Sequence, residues 1–431
     1  MAYCAYITTI KEILPHNNAD RLKITYCFGN QCIIDLSYSV GDKVIYFPEG
    51  GQLDLEFCKN NNLIRIKNED GTCSGGYMDE NKRRITSVRL RGEASDGLVL
   101  PISCLAPYTD INDLKDGDKI DVLNGVELCK KYIPKTNPKE NKSGSKRAKN
   151  ANKKVKKTSY PIFFEHADTN QLAYNLHNFY EGDLITISLK MHGTSARYSN
   201  TIKQTRKNPN TFFKLLGKKP KVATEWEVTG GTRRCILENY DNGYYGNDKF
   251  REKYLNLLKD TLPKGMTIYG EIVGWVNENT PIMGSCSNKS LGKDFVRKYG
   301  ETTVFDYGCE VGESDFYVYR VTMTNEDGYT IELNTEQAKL EAEKLGLKFV
   351  PVFETFEYTT EEDLMERVEK YYDGKDLIGN HIREGIVVKK ENKDKFIAYK
   401  HKNFSFKVLS GIISENALAD EMSQDMIDEM A

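Results

Sequence analysis

Short apolar runs broken by turn signals fill the first 134 positions. Ala5-Tyr6-Ile7, Leu22 to Cys27, Cys32-Ile33-Ile34, Lys43 to Phe47, Gly97 to Leu100 and Lys119 to Leu123 are rich in β-branched and aromatic residues, with Gly41-Asp42 and Gly117-Asp118 as punctuation. Several short strands at this spacing predict a small β-barrel. The pattern stops at residues 135–157, which carry dense positive charge and almost no apolar side chain. Beyond 159, strands return with longer apolar runs: Leu184, Ile185, Ile187 and Leu189, then Thr267 to Trp275, Gly385 to Val388, and Phe396 to Tyr399. Residues 335–346, closed by Gly346, and 360–371 read as amphipathic helices packing on a sheet. The fold class predicted is α+β, a barrel followed by a sheet-rich domain with helices.

Composition changes this picture only locally. At 431 residues and 39% hydrophobic, the chain can bury two cores. Its formal charge of -2 conceals the basic 135–157 segment, a second basic stretch from Lys203 to Lys221, and an acidic end from Glu415 to Glu429. Residues 135–158 cannot form a core, so they predict a flexible basic linker whose lysines add salt-sensitive affinity for phosphates or serve as a soluble spacer. Residues 203–221 read as a surface loop able to meet nucleic acid, and 413–431 as an acidic tail. Ten cysteines without a Cys-x-x-Cys pair argue against a zinc ribbon. No signal peptide, membrane-length apolar run or P-loop motif is visible, which points to a reducing interior, cytoplasmic or nuclear, and away from a P-loop ATPase.

Candidate chemistry gathers at four places. The strand ending at Leu189 delivers Lys190 into a partly desolvated setting, where a neutral, nucleophilic amine is favoured. Gly193 allows close backbone approach, and Thr194 and Ser195 offer hydroxyls to an anion. Glu271 is one carboxylate planted in an apolar strand, costly unless partnered by ribose hydroxyls, metal-bound water or a salt bridge. Glu384 precedes Gly385 at the head of a β-branched run, and Lys400 and Lys402 alternate, so both ammonium groups face one side of a strand. Each feature alone also fits solvated turns, structural ion pairs or a charged edge strand.

Taken in order, the segments resemble the covalent nucleotidyltransferases, polynucleotide ligases and mRNA capping enzymes, and within them the ATP-dependent nick-sealing RNA ligases. Lys190-Met191-His192-Gly193-Thr194 matches nucleophile motif I in the variant with His before Gly, Gly230-Gly231-Thr232-Arg233-Arg234 resembles motif Ia, and Glu271 matches motif III. Asp315-Phe316-Tyr317-Val318-Tyr319 looks like motif IIIa, Glu384 to Lys389 like motif IV, and Lys400 to Ser405 like motif V. Pro15 to Leu22 and Ser87 to Leu98 resemble segments of the tRNA-binding type of OB-fold, with turn capping the favoured use of His16 and Asp20.

The resemblance implies an OB-fold domain over 1–134, the linker, and an ATP-grasp-like nucleotidyltransferase domain of antiparallel sheets and helices over 159–412. It implies ATP with Mg²⁺ or Mn²⁺, a lysyl-AMP intermediate on Lys190, and sealing of a 5′-phosphate to a 3′-OH in nicked RNA or RNA–DNA duplexes by a monomer, away from membranes. Lys400 and Lys402 would meet the phosphates, and Glu384 would orient Lys190 or a metal-bound water. His192 would also accept from such a water. Leu189, Gly193 and Thr194 would lie against the nucleotide, Glu271 on its ribose, Phe316 stacked on adenine, and Arg233 or Arg234 on the ribose or the 3′-OH strand. A capping guanylyltransferase, or a non-catalytic OB-fold nucleic-acid-binding protein, are the alternatives.

Overall fold

In the computed structural model the described residues are 3–133 apart from 69 and 71, 158–207, and 221–416. Most of the basic linker, the tip of the 203–221 loop and the acidic tail beyond 416 therefore lie outside them. By internal contacts the chain divides into two units, residues 1–134 together with 404–415, and the remainder.

The first unit is β-rich. Strand β1 (Ala5–Thr9) pairs antiparallel with β4 (Lys43–Phe47), which also pairs with β7 (Leu98–Pro101), while β1 takes β8 (Lys119–Ile120) on its other edge. Two antiparallel hairpins, β2 (Leu22–Cys27) with β3 (Asn30–Asp35) and β5 (Ser87–Leu90) with β6 (Glu93–Asp96), complete most of it. Alternation along the strands sends Ala5, Ile7, Ile45 and Phe47 inward, where they meet Phe57 and Cys58 of the short helix α1 (Leu55–Asn60), capped by the Asp54 carboxylate. His16 does what the sequence favoured for it: Nδ1 accepts from the Asn18 amide at 3.0 Å and closes a turn. The helix Phe404–Asn416 also belongs to this unit, so the domain boundary expected at 412 differs from the observed grouping. Its Phe406 and Leu409 are fully buried, the Lys407 ammonium pairs with the Asp96 carboxylate, and Arg84 donates to the Gly411 carbonyl at 3.3 Å.

The second unit holds two mostly antiparallel sheets. In the larger, the central run is β11 (Lys221–Gly231), β10 (Thr194–Lys207), β12 (Met266–Asn277) and β13 (Ser314–Thr324) in that spatial order. In the smaller, β14 (Val352–Glu357), β9 (Leu184–Leu189), β15 (Gly385–Lys390) and β16 (Ile397–Lys402) lie side by side. Helices α2 (Lys249–Leu258) and α3 (Thr335–Lys344) cover one face of the larger sheet, through Phe250, Tyr254, Ala338 and Ala342 against Tyr198, Ile268 and Val318. Helix α4 (Glu361–Tyr372) covers the smaller sheet, placing Leu364 and Val368 on Ile185, Ile187, Ile386 and Val388. Both helices expected from periodicity are present, and α3 starts with a capping box between Asn334 and Gln337. The uncovered faces of the two sheets carry the polar residues of the candidate site.

Candidate active site

Three strand ends meet at one carboxylate. Residue 190 follows β9 directly, and its amide donates to the Gly385 carbonyl at 3.0 Å, continuing the antiparallel pairing of Leu189 with Ile386. Glu384 stands just before β15, and Gly385 pairs with Lys402 at the end of β16. Gly385 is required twice over: its φ is +148°, and a Cβ there would stand 2.1 Å from the His401 carbonyl oxygen.

The result is a lysine pair on a single oxygen. Glu384 Oε1 lies 3.0 Å from Lys190 Nζ and 3.3 Å from Lys402 Nζ. The carboxylate side chain is 2% exposed while the two lysines keep 21% and 22%, so it is the ammonium groups that face an incoming ligand. Burial alone would raise the Glu384 pKa, but the adjacent Lys190 and Lys402 charges overcome it and hold the carboxyl down at about 2. Its other oxygen, Oε2, is buried without a hydrogen bond and sits 3.9 Å from His192 Nδ1. Burial, more than the lysines nearby, pushes the His192 imidazole down to about 4, so it is neutral at physiological pH. Its ring stands edge-on to Phe305 at 4.8 Å between centroids, and its amide donates to the Tyr307 hydroxyl at 2.6 Å. Lys400 lies two residues before Lys402 on the same face of β16.

Glu271 occupies the middle of β12 opposite Ser195, whose hydroxyl donates to its Oε1 at 3.2 Å. Oε2 is buried without a partner, and burial raises the carboxyl to about 7 against the lowering pull of Lys190 and Arg233. The Arg233 guanidinium pairs with Asp168. Arg234 contributes its carbonyl, which accepts from Arg197 at 3.2 Å.

Four residues expected at the nucleotide are engaged in packing or main-chain contacts. Phe316 pairs in register with Ile272 and turns to the helix-covered face, 2% exposed, with its ring 5.4 Å from both Tyr198 and Tyr254. Its neighbour Tyr317 pairs with Glu271 and so shares Glu271's face. Thr194 is buried and accepts from Arg251 at 2.6 Å, the strand alternation carrying it away from Ser195 and Glu271. Gly193 is explained by packing, since a Cβ would lie 2.4 Å from the Ile272 carbonyl oxygen. Leu189 is 2% exposed and its amide donates to the Pro351 carbonyl at 2.8 Å.

Sequence reasoning missed Asp168, His166, Tyr307 and the function of Arg197. His166 Nδ1 lies 2.5 Å from the Tyr319 hydroxyl. Residues 160–168 and 305–307 carry no periodicity that would mark them, and only the unusual density of aromatic and charged residues in Phe163-Phe164-Glu165-His166-Ala167-Asp168 could have drawn attention. Among the described residues no cluster of three or more His, Cys, Asp or Glu side chains is arranged to hold a metal by itself.

Comparison with known proteins identifies the family. No curated protein sequence matches the chain. Solved structures of the Naegleria gruberi RNA ligase share its fold: a lysine mutant with ATP and Mn at 18% identity and TM-score 0.56, covering 94% of this chain and 97% of that one. The same ligase with PPi gives 18% identity and TM-score 0.55 over 93% and 97% of the two chains, and a glutamate mutant with ATP and Mn gives 19% and 0.56 over 94% and 98%. The RNA ligase family model matches residues 183–409, more than half the chain and all the strand ends that build the lysine pair, and the chain belongs to the RNA ligase family.

Proposed function

We propose that this RNA ligase consumes ATP through a lysyl-AMP intermediate and joins a 5′-phosphate to a 3′-OH at nicks with RNA on the 3′-OH side. The observation that carries the reading is the pair of partly exposed ammonium groups, Lys190 and Lys402, anchored on one buried carboxylate. In the first step Lys190 gives up its ammonium proton to solvent and attacks the α-phosphorus through Nζ; a P–N bond forms with loss of a second proton, the bond to the bridging oxygen breaks and pyrophosphate leaves. A 5′-phosphate oxygen then displaces the lysine from AMP, and the adjoining 3′-OH displaces AMP to form the phosphodiester. Glu384 orients Lys190, Lys400 and Lys402 offset phosphate charge, and Glu271 holds the ribose hydroxyls.

Arg233 lies against the ribose or the 3′-OH strand, with Arg234 beside it. Tyr317, on the face of Glu271, is the aromatic we place against adenine instead of Phe316. His192 lines the same nucleotide, in the loop that Leu189, Gly193 and Thr194 fix.

A divalent cation suits this donor set. The unpartnered Oε2 of Glu384 and the neutral His192 imidazole can accept from metal-bound waters, the binding mode Mg²⁺ prefers when few carboxylates are present. Such an ion would offset charge on the phosphates. The first unit is proposed as an OB-fold nucleic-acid-binding domain, supported by its short antiparallel strands. Residues 135–158 then serve as a basic linker, and the nucleotidyltransferase region expected over 159–412 ends at 403, since 404–415 group with the first unit ahead of an acidic tail, in a monomer. No described helix is long and apolar enough to cross a membrane.

The test is incubation with Mg²⁺ and α-labelled ATP or GTP, then a chase with nicked duplexes. Label from ATP that passes into sealed RNA, and is abolished in Lys190→Ala, is expected. Label from GTP would move the chain to a capping activity, and preferential sealing of an all-DNA nick would overturn the substrate assignment.

A further inference from the structure

Arg197 is 1% exposed near the start of β10, and none of its guanidinium nitrogens is hydrogen-bonded to a carboxylate among the described residues. Instead Nε donates to the Thr232 carbonyl at 3.0 Å, Nη1 to the Phe163 carbonyl at 3.3 Å and Nη2 to the Arg234 carbonyl at 3.2 Å. Two of these three acceptors flank Arg233. The third belongs to the segment that carries Asp168, the partner of the Arg233 guanidinium. One buried side chain therefore ties together the turn that bears Arg233 and the strand of chain that supplies its counter-ion.

The surroundings are shaped for it. Arg197 pairs across the sheet with Gly231, where a Cβ would approach Arg197 Nε to 3.1 Å and the Cys235 carbonyl oxygen to 2.6 Å. The Phe163 ring lies 4.3 Å from the guanidinium carbon. An apolar side chain would fill this space without the desolvation cost of a charge. What it could not supply is three diverging donors for the carbonyls of Thr232, Phe163 and Arg234.

We propose that Arg197 is a positioning residue: it fixes the 232–234 turn so that Arg233 is aimed at the reacting nucleotide or strand. This rests on the ATP-dependent reading and on the place given to Arg233.

The test is a double-mutant cycle on two separately measured steps, adenylylation of Lys190 at varied ATP and sealing of a pre-adenylylated nick at varied nick. The proteins are wild type, R233A, R197M, R197K and R197M/R233A, each with its melting temperature. The expected result is that R197M weakens the same step as R233A, through the same parameter, KM or kcat, by a similar factor of about tenfold, and that the double variant is no worse than R233A. R197K, which keeps the charge but presents one point donor, should show the same step selectivity, and it carries the test if R197M does not fold. Multiplying losses in the double variant, or losses spread equally over both steps, would make Arg197 a general structural residue and overturn the proposal. Unchanged kinetics in R233A with label still lost in Lys190→Ala would also overturn it while leaving the lysyl-AMP reading intact. Absence of label in wild type would defeat both.

Discussion

Replacing Glu271 by Gln should change how stability depends on pH, with a sign fixed by its surroundings. Burial lifts this carboxyl from 4.5 to about 7, so the folded state binds its proton more tightly than the unfolded chain. Below pH 4.5 both states hold the proton and nothing is lost. Between 4.5 and about 7 the unfolded chain releases it while the folded one retains it, so folding weakens as pH rises. The loss is complete above 7 and amounts to at most about 3 kcal/mol. Glutamine cannot ionise and lacks this slope, yet it can still accept from Ser195.

Two other groups titrate nearby. Glu384, held at about 2, contributes stability that is lost as pH falls through the range below 4.5. His192, pushed down by burial to about 4, costs stability as pH falls from 6.5. Both act alike in wild type and variant, so the difference between the two proteins isolates Glu271. Urea unfolding of nucleotide-free protein from pH 4.5 to 8 should show Glu271→Gln gaining on wild type by up to about 3 kcal/mol. Parallel curves would refute the burial argument.

Other substitutions test separate parts of the reading. Lys407→Met strands the Asp96 carboxylate, 6% exposed and otherwise held by Ser87 at 2.5 Å, and should cost about 3 kcal/mol, checked by thermal unfolding. Gly385→Ala forces a side chain against the His401 carbonyl at positive φ, so about 2 kcal/mol of stability or more should go together with adenylylation. An unshifted unfolding midpoint in that variant would contradict the close approach. Phe316→Ala should lose about 3–5 kcal/mol of stability with the KM for ATP little changed, whereas Tyr317→Ala should raise that KM in addition to its own stability cost. The reverse pattern would return the adenine contact to Phe316.

The strands that carry chemistry were readable because their residues violate an otherwise regular pattern. Lys190 closes an apolar strand, Glu271 interrupts one and Glu384 precedes one, and each lies on or beside a strand in the structure. Alternation likewise put Lys400 and Lys402 on one face. Face assignment within β13 was not readable from a run of aromatic and apolar residues, because Phe316 and Tyr317 suit a core equally well and only the register with β12 separates them. Gly193 and Thr194 looked like phosphate ligands because glycine and hydroxyl residues serve anions and tight packing alike. The clamp of Arg197 was beyond reach for another reason: its three acceptors are main-chain carbonyls, which leave no mark in side-chain sequence.

Chain order adds a consequence to the helix Phe404–Asn416. Lys402 is separated by Asn403 alone from a helix that groups with the first unit. The second unit is thus an insertion within the first, so strands made before it await a helix made after it. Until that helix arrives, the Asp96 carboxylate lacks its Lys407 counter-ion, so the first unit cannot finish folding during translation ahead of the ligase sheets. A fragment cut at residue 134 would be a domain without one of its own walls, whereas joining 404–415 to it through a short designed loop should restore that wall.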